Sequence, residues 1–240
     1  MNTIAQRLQD ITTSILNAQN KSEQTLKHSN EIMLLAVSKA QPASSIREAF
    51  RAGQKSFGEN YLQEALTKQQ SLTDLCIDWH FIGPIQSNKT QPIAENFNWV
   101  HGVDRLKIAE RLNAARPPHL APLNICIQLN VSDEASKSGV SMQDALSLAL
   151  AIKQLPNLRL RGLMAIPAPT KEPAQQHVQF KLVRDCYNAL SHALQSSNQD
   201  DVSDFDTLSM GMSDDYQVAI EEGATIVRIG SAIFGARPRN

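Results

Sequence analysis

Cysteine is scarce: Cys76, Cys126 and Cys186 are the only three in 240 residues, and they lie far apart. An odd, widely spaced set makes neither a disulfide framework nor a zinc site, and it suits a reducing compartment. Cys126 falls in an apolar run and Cys186 on a helical stretch, so both read as core or near-core thiols. Long hydrophobic runs are missing too. No stretch approaches the roughly 18 apolar residues of a membrane span, and the N-terminus lacks a basic-then-apolar signal pattern. These absences predict a soluble, cytoplasmic protein. Charge of one sign is also lacking: 23 basic and 24 acidic residues leave a net charge of −1. With no Lys/Arg block and no basic–aromatic stripe, the sequence excludes a nucleic-acid face.

Other absences narrow the chemistry. The six histidines, among them His80, His101, His119 and His177, show no metal-ligand spacing and read as surface or satisfied core residues. Ser209-Met210-Gly211-Met212-Ser213 is not a Gly-x-Ser-x-Gly nucleophile elbow, which excludes serine hydrolysis. Met164, Met210 and Met212 read as packing residues. No glycine-rich dinucleotide fingerprint follows the first strand, and there is no low-complexity segment, repeat or Pro/Gly/Ser-rich linker.

What is present is alternation. Short, nearly continuous apolar runs at 32–37, 80–82, 99–103, 125–130, 158–165, 207–210 and 225–229 predict buried parallel strands, with a weaker second strand at 56–60. Helical patterns fall between them. The stretch 44–52 ends at Gly53, 105–115 stops before Pro117-Pro118, and 141–155 stops before Pro156. A longer helix over 173–194 places Val178, Leu182, Cys186, Ala189 and Ala193 on one face. Ser213 is the expected cap of a short helix through Ile220, with Asp214 and Asp215 in its first turn and Gly223 closing it. A leading helix covers about residues 1–28. Eight strands alternating with helices in this length predict a single closed (β/α)8 barrel of TIM type over 1–240, with an open doubly wound sheet as the alternative.

In such barrels the C-terminal strand edges form the active-site mouth. Read in order, those edges hold Lys39, Asn60, Gly83, Asp104, Asn130, the Met164 region, Ser209 and Arg228. Lys39 closes the run from Leu34, and apolar walls there favour the neutral, nucleophilic amine. Position alone leaves open a lysine that merely reaches past the strand into water. Arg228 sits within an apolar strand and needs an anion or an acceptor. Gly230 and Ser231 follow it, and Ser209 and Gly211 end the neighbouring strand, where these barrels hold phosphate. A structural ion pair for Arg228, with the glycines as turn formers, remains the alternative. A lysine and an anion cradle in one mouth suit a phosphorylated aldehyde or sugar.

Seven ordered motifs carry a resemblance. They are Ala36-Val37-Ser38-Lys39, Phe57-Gly58-Glu59-Asn60-Tyr61, Trp79-His80-Phe81-Ile82-Gly83, Ser136-Lys137-Ser138-Gly139, Arg161-Gly162-Leu163-Met164, Leu208-Ser209-Met210-Gly211-Met212-Ser213 and Val227-Arg228-Ile229-Gly230. From about residue 30 onward they resemble the pyridoxal phosphate homeostasis family, whose fold is similar to the barrel domain of alanine racemases (fold type III). The resemblance implies pyridoxal 5′-phosphate as cofactor and Lys39 as its Schiff-base lysine. It implies Ser209, Gly230 and Ser231 as phosphate contacts, with Gly211 beside them, Arg228 facing the pyridine nitrogen, and Asn60 near the ring. It further implies intracellular holding, buffering or delivery of the cofactor, possible transfer to apo-enzymes, and a monomer with little turnover. The racemases' extra β-domain and its tyrosine acid/base have no counterpart expected here. Rival readings are a pyridoxal phosphate-dependent racemase-type enzyme, a cofactor-free Schiff-base aldolase and a scaffold.

Overall fold

The structure, a computed structural model, describes residues 3–26, 31–131, 138–197 and 204–236. Among them eight strands close into one all-parallel barrel in chain order: β1 (Met33–Val37), β2 (Ser56–Glu59), β3 (Asp78–Phe81), β4 (Trp99–Val103), β5 (Leu123–Leu129), β6 (Leu158–Ala165), β7 (Thr207–Ser209) and β8 (Ile226–Ile229). Closure is made by β8 against β1, with Leu35 opposite Arg228 and Ala36 opposite Ile229. The eight predicted strands are these eight, the weak second one included. The open-sheet alternative falls, because pairing β8 to β1 leaves no free edge.

The wrapping helices are α1 (Ile4–Leu26), α2 (Ala43–Arg51), α3 (Leu62–Ser71), α4 (Thr90–Asn96), α5 (Leu106–Ala115), α6 (Ala145–Lys153), α7 (Pro173–Ser197), α8 (Tyr216–Glu221) and α9 (Ser231–Phe234). Pattern reading did not delimit α3 or α4. Leading helix α1 packs on α8, α9 and α2. It buries Ile4, Leu8, Ile15 and Ala18, and Ser14 accepts from the Tyr216 hydroxyl at 2.8 Å. Gly53 and Gly223 follow the last turns of α2 and α8 at φ 103° and 93°, as a left-handed C′ residue should.

Three expectations need correction. The inward face of α7 carries Phe180, Val183, Leu190 and Leu194, whereas Val178 and Leu182 are exposed. Both sets fit a 3.6-residue period, and only contact with the barrel chooses between them. Helix α8 starts at Tyr216, so Ser213 does not cap it. Asp215 closes the preceding turn by accepting the Met212 N–H at 2.6 Å. Met164 and Met210 are buried, but Met212 is exposed.

Two cores result. The larger lies between sheet and helices, and a smaller one fills the barrel with Leu35, Val37, Ile82, Trp99, Cys126, Met164 and Ile226. Gly58 makes room inside: a Cβ there would meet Ile82 Cδ1 at 3.1 Å. No helix among the described residues is long and apolar enough to cross a membrane.

Candidate cofactor site at the barrel mouth

The ladder that builds β1 ends at Val37, and Lys39 lies in the turn just beyond, half-buried. That turn is anchored rather than loose. Ser38 N–H donates to the Gly58 carbonyl, Gln41 N–H donates to that of Ser38, and Ala40 takes a left-handed φ of 58°. Such a φ costs a non-glycine residue about a kcal/mol or more and persists where surroundings impose it. Here the Ala40 N–H is held by Glu64 Oε1 at 2.6 Å. Beneath it, buried Lys68 donates to the Ser38 carbonyl at 2.7 Å and to Glu59 Oε1 at 2.6 Å, and Ser38 Oγ donates to the same carboxylate oxygen. Burial pushes Glu59 above the usual carboxylate range, while Lys68 beside it opposes the shift. Pattern reading missed Lys68 and Glu64, because their role depends on α3 lying under the turn.

Lys39 lines a cavity of about 280 Å³ with Val37, Gln41, Gly230, Ser231, Gly235 and Ala236. Gly230 is close to the β1 backbone; a Cβ there would meet the Val37 carbonyl oxygen at 3.2 Å. Ser231 is exposed, with its hydroxyl 3.2 Å from that of Ser213. Three predicted residues therefore converge: Lys39, Gly230 and Ser231. Gly211, at φ 90°, packs against Tyr216 and Ala219 and offers its carbonyl to Arg228 N–H at 3.0 Å. It shapes the β7 end without lining this cavity. Asn60 stands just past β2, and its buried Oδ1 has no hydrogen-bond partner among the described residues. Ser136 and Lys137 lie outside those residues.

Arg228 is buried, and it finds neutral acceptors instead of an acid. Nη1 donates to the Ser209 carbonyl at 2.6 Å and to Ser209 Oγ at 3.0 Å, and Nη2 donates to the Ala165 carbonyl at 2.9 Å. Among the described residues its side-chain hydrogen bonds all go to neutral acceptors, and Asp215 is the acid whose charge favours its cationic form. Desolvation lowers its pKa to about 10, so it stays cationic near neutrality. A guanidinium only donates, so any group seated against it must accept. The Ser209 hydroxyl is fully buried and hydrogen-bonded to His101 Nδ1 at 2.8 Å, inside the barrel and off the lining of the Lys39 cavity. His80 and His101 are satisfied core histidines; His119 is exposed, and His177 pairs with Glu222 on the outside. No cluster of metal-binding side chains occurs among the described residues.

A lysine, an N–H-bearing strand end and a buried arginine at the mouth of a parallel barrel define the class of alanine racemase-like barrel proteins. The family model "Alanine racemase, N-terminal domain" matches residues 16–238. The fold is also that of the alanine racemase from Corynebacterium glutamicum, at 15% identity and a TM-score of 0.66, covering 94% of this chain and 62% of that one. Sequence relatives narrow the class. The pyridoxal phosphate homeostasis protein of Pseudomonas aeruginosa is 56% identical over 237 residues, 99% of this chain and 97% of its own length. That of Escherichia coli K12 is 49% identical over 240 residues, 99% and 98% of the two chains. The structure of PipY from Synechococcus elongatus PCC7942 with PLP bound shares 34% identity and a TM-score of 0.81, covering 97% of this chain and all of that one. The chain belongs to the pyridoxal phosphate homeostasis protein family.

Proposed function

We propose that this protein binds pyridoxal 5′-phosphate covalently through Lys39 and serves intracellular homeostasis of that cofactor, holding, buffering or delivering it with little turnover. The observation that carries the reading is the convergence of Lys39, Gly230 and Ser231 on one cavity, with the turn that carries Lys39 held by hydrogen bonds at Ser38, Ala40 and Gln41. The residues fit the cofactor's parts. The Lys39 amine matches the aldehyde, the N–H groups and hydroxyl around Gly230 and Ser231 match the phosphate, and Arg228 matches the pyridine nitrogen. Asn60 matches the ring edge with an acceptor that no described protein donor uses. PipY, solved with PLP bound, supports the same ligand.

When bound, the cofactor supplies an electron-withdrawing ring that can stabilise a carbanion. Arg228 limits that power. A cationic guanidinium donates to the ring nitrogen and disfavours its protonation, and an unprotonated ring withdraws electrons less well. Among the described residues that line the cavity, Lys39 is the one base, whereas two-sided proton exchange needs two. These features favour storage and delivery, to apo-enzymes among others, over racemisation.

The test is borohydride reduction of protein incubated with the cofactor, followed by digestion and mass spectrometry. The expected mass increment falls on the peptide containing Lys39; an increment elsewhere, or none, overturns the reading. Rapid exchange of an amino acid's α-proton in deuterated water would favour the racemase-type alternative.

A further inference from the structure

A line of polar side chains crosses the barrel interior, where apolar packing is the rule. Arg228 Nη1 reaches Ser209 Oγ at 3.0 Å, and Ser209 Oγ reaches His101 Nδ1 at 2.8 Å. His101 Nε2 lies 3.0 Å from His80 Nδ1, and His80 Nε2 lies 2.9 Å from Asp78 Oδ2. Ser209, His101 and His80 are fully buried, while Asp78 opens the first residue of β3 at the opposite end of the barrel. Each member comes from a different strand or from alternate positions on one strand, so the barrel wall itself sets the spacing.

We infer that these five residues form one hydrogen-bond chain with a single direction, Arg228 to Ser209 to His101 to His80 to Asp78, and that it positions the arginine. The direction follows from elementary accounting. A guanidinium only donates, so the Ser209 oxygen accepts from it. The buried Ser209 O–H must then donate, and its one acceptor among the described residues is His101 Nδ1. That nitrogen is therefore bare, and the His101 proton sits on Nε2. His101 Nε2–H donates to His80 Nδ1, which leaves the His80 proton on Nε2, directed to the Asp78 carboxylate. A carboxylate only accepts, so the far end agrees with the near one. Both rings are neutral in this arrangement. Burial, helped by His80 and Arg228, holds His101 well below the ordinary histidine range, as a neutral link requires. Trp99 stacks on His80 at 5.3 Å and 4°, fixing the ring plane.

The consequence is a serine whose oxygen is held towards Arg228 and whose proton is committed inward. Ser209 is thereby a positioning residue for the guanidinium, polarised by the Asp78 charge through two rings. With both rings neutral, the chain itself adds no positive charge beside the guanidinium. The bearing on the cofactor rests on the function proposed above; the direction of the chain does not.

The test begins with 15N-labelled protein free of cofactor. Long-range 1H–15N spectra at pH 7 are expected to show His80 and His101 both as neutral Nε2–H tautomers, with the pattern of His101 unchanged down to pH 5. An Nδ1–H or imidazolium pattern in either ring overturns the chain, whatever the protein binds. The second arm titrates the visible band of cofactor-loaded protein. His101→Leu removes the acceptor for Ser209 and is expected to move the pH midpoint by about one unit, a tenfold change in the equilibrium. His101→Gln, which keeps an acceptor and a donor, restores the wild-type midpoint. Equal midpoints in all three proteins overturn the positioning role. Wild-type protein that takes up no cofactor refutes the functional proposal alone, because the tautomer spectra stand independently.

Discussion

Arg228 and Ser209 are joined twice through a single nitrogen: Nη1 donates to the serine carbonyl at 2.6 Å and to its hydroxyl at 3.0 Å. The first contact ties the arginine to the β7 backbone, and the second ties it to a side chain with its own partner. Removing the guanidinium strands the Ser209 and Ala165 carbonyls. Arg228→Leu is expected to cost about 3 kcal/mol in urea unfolding, since each buried acceptor left unpaired is expensive. It should also shift the absorption of bound cofactor.

Lys39 contributes chemistry more than stability. It sits half-buried in a turn whose backbone is held by Ser38, Gln41 and Glu64. Lys39→Ala should abolish borohydride-fixed cofactor on the protein, while unfolding stability changes by about 0.5 kcal/mol or less.

The Glu59–Lys68 pair behaves in the opposite way. Both side chains are buried, 2.6 Å apart. Lys68→Met leaves a buried carboxylate without its cation and should cost about 3–5 kcal/mol. The double replacement Glu59→Gln/Lys68→Met should be less damaging than the single one. A double-mutant cycle by urea unfolding measures the coupling, and cofactor attachment at Lys39 should slow in both variants.

Acid sensitivity follows from His101. Its folded pKa lies well below the ordinary value of 6.5, so below that pH the unfolded chain takes up a proton that the native protein refuses. Its contribution is complete above pH 6.5 and is lost as pH falls towards the depressed folded value. The loss runs at about 1.4 kcal/mol per pH unit. Urea unfolding at pH 7, 6 and 5 should show a shallower decline in His101→Gln than in the wild type.

Gly83 controls the neighbouring edge of the mouth. A Cβ at this position would lie 2.2 Å from the Asn60 carbonyl oxygen, so the end of β2 must shift to admit it. Gly83→Ala should weaken cofactor affinity in an equilibrium spectral titration while Lys39 remains the residue labelled.

Much of this protein is legible in one dimension. Eight apolar runs separated by helical patterns require a parallel sheet, and a lysine closing the first run with an arginine in the last marks the mouth. Glycines at the helix ends are equally readable, because φ is a local property. The His80 and His101 pair was readable in part: Asp78 and His80 alternate along β3 as Trp99 and His101 do along β4, which places each set on one strand face. What that spacing lacks is the identity of the facing strand.

Residue order alone therefore determined the class of fold, the amine at the first strand end and the glycines where the backbone turns or crowds. Barrel closure decided the rest. It brought β8 against β1 so that Lys39 shares a cavity with Gly230 and Ser231. It laid Lys68 of α3 under the Lys39 turn, turned Phe180 rather than Val178 inward, and aligned the polar line that crosses the interior. The reason is physical: local periodicity states which faces a segment offers, and only burial against a particular neighbour selects the face and the partner that win.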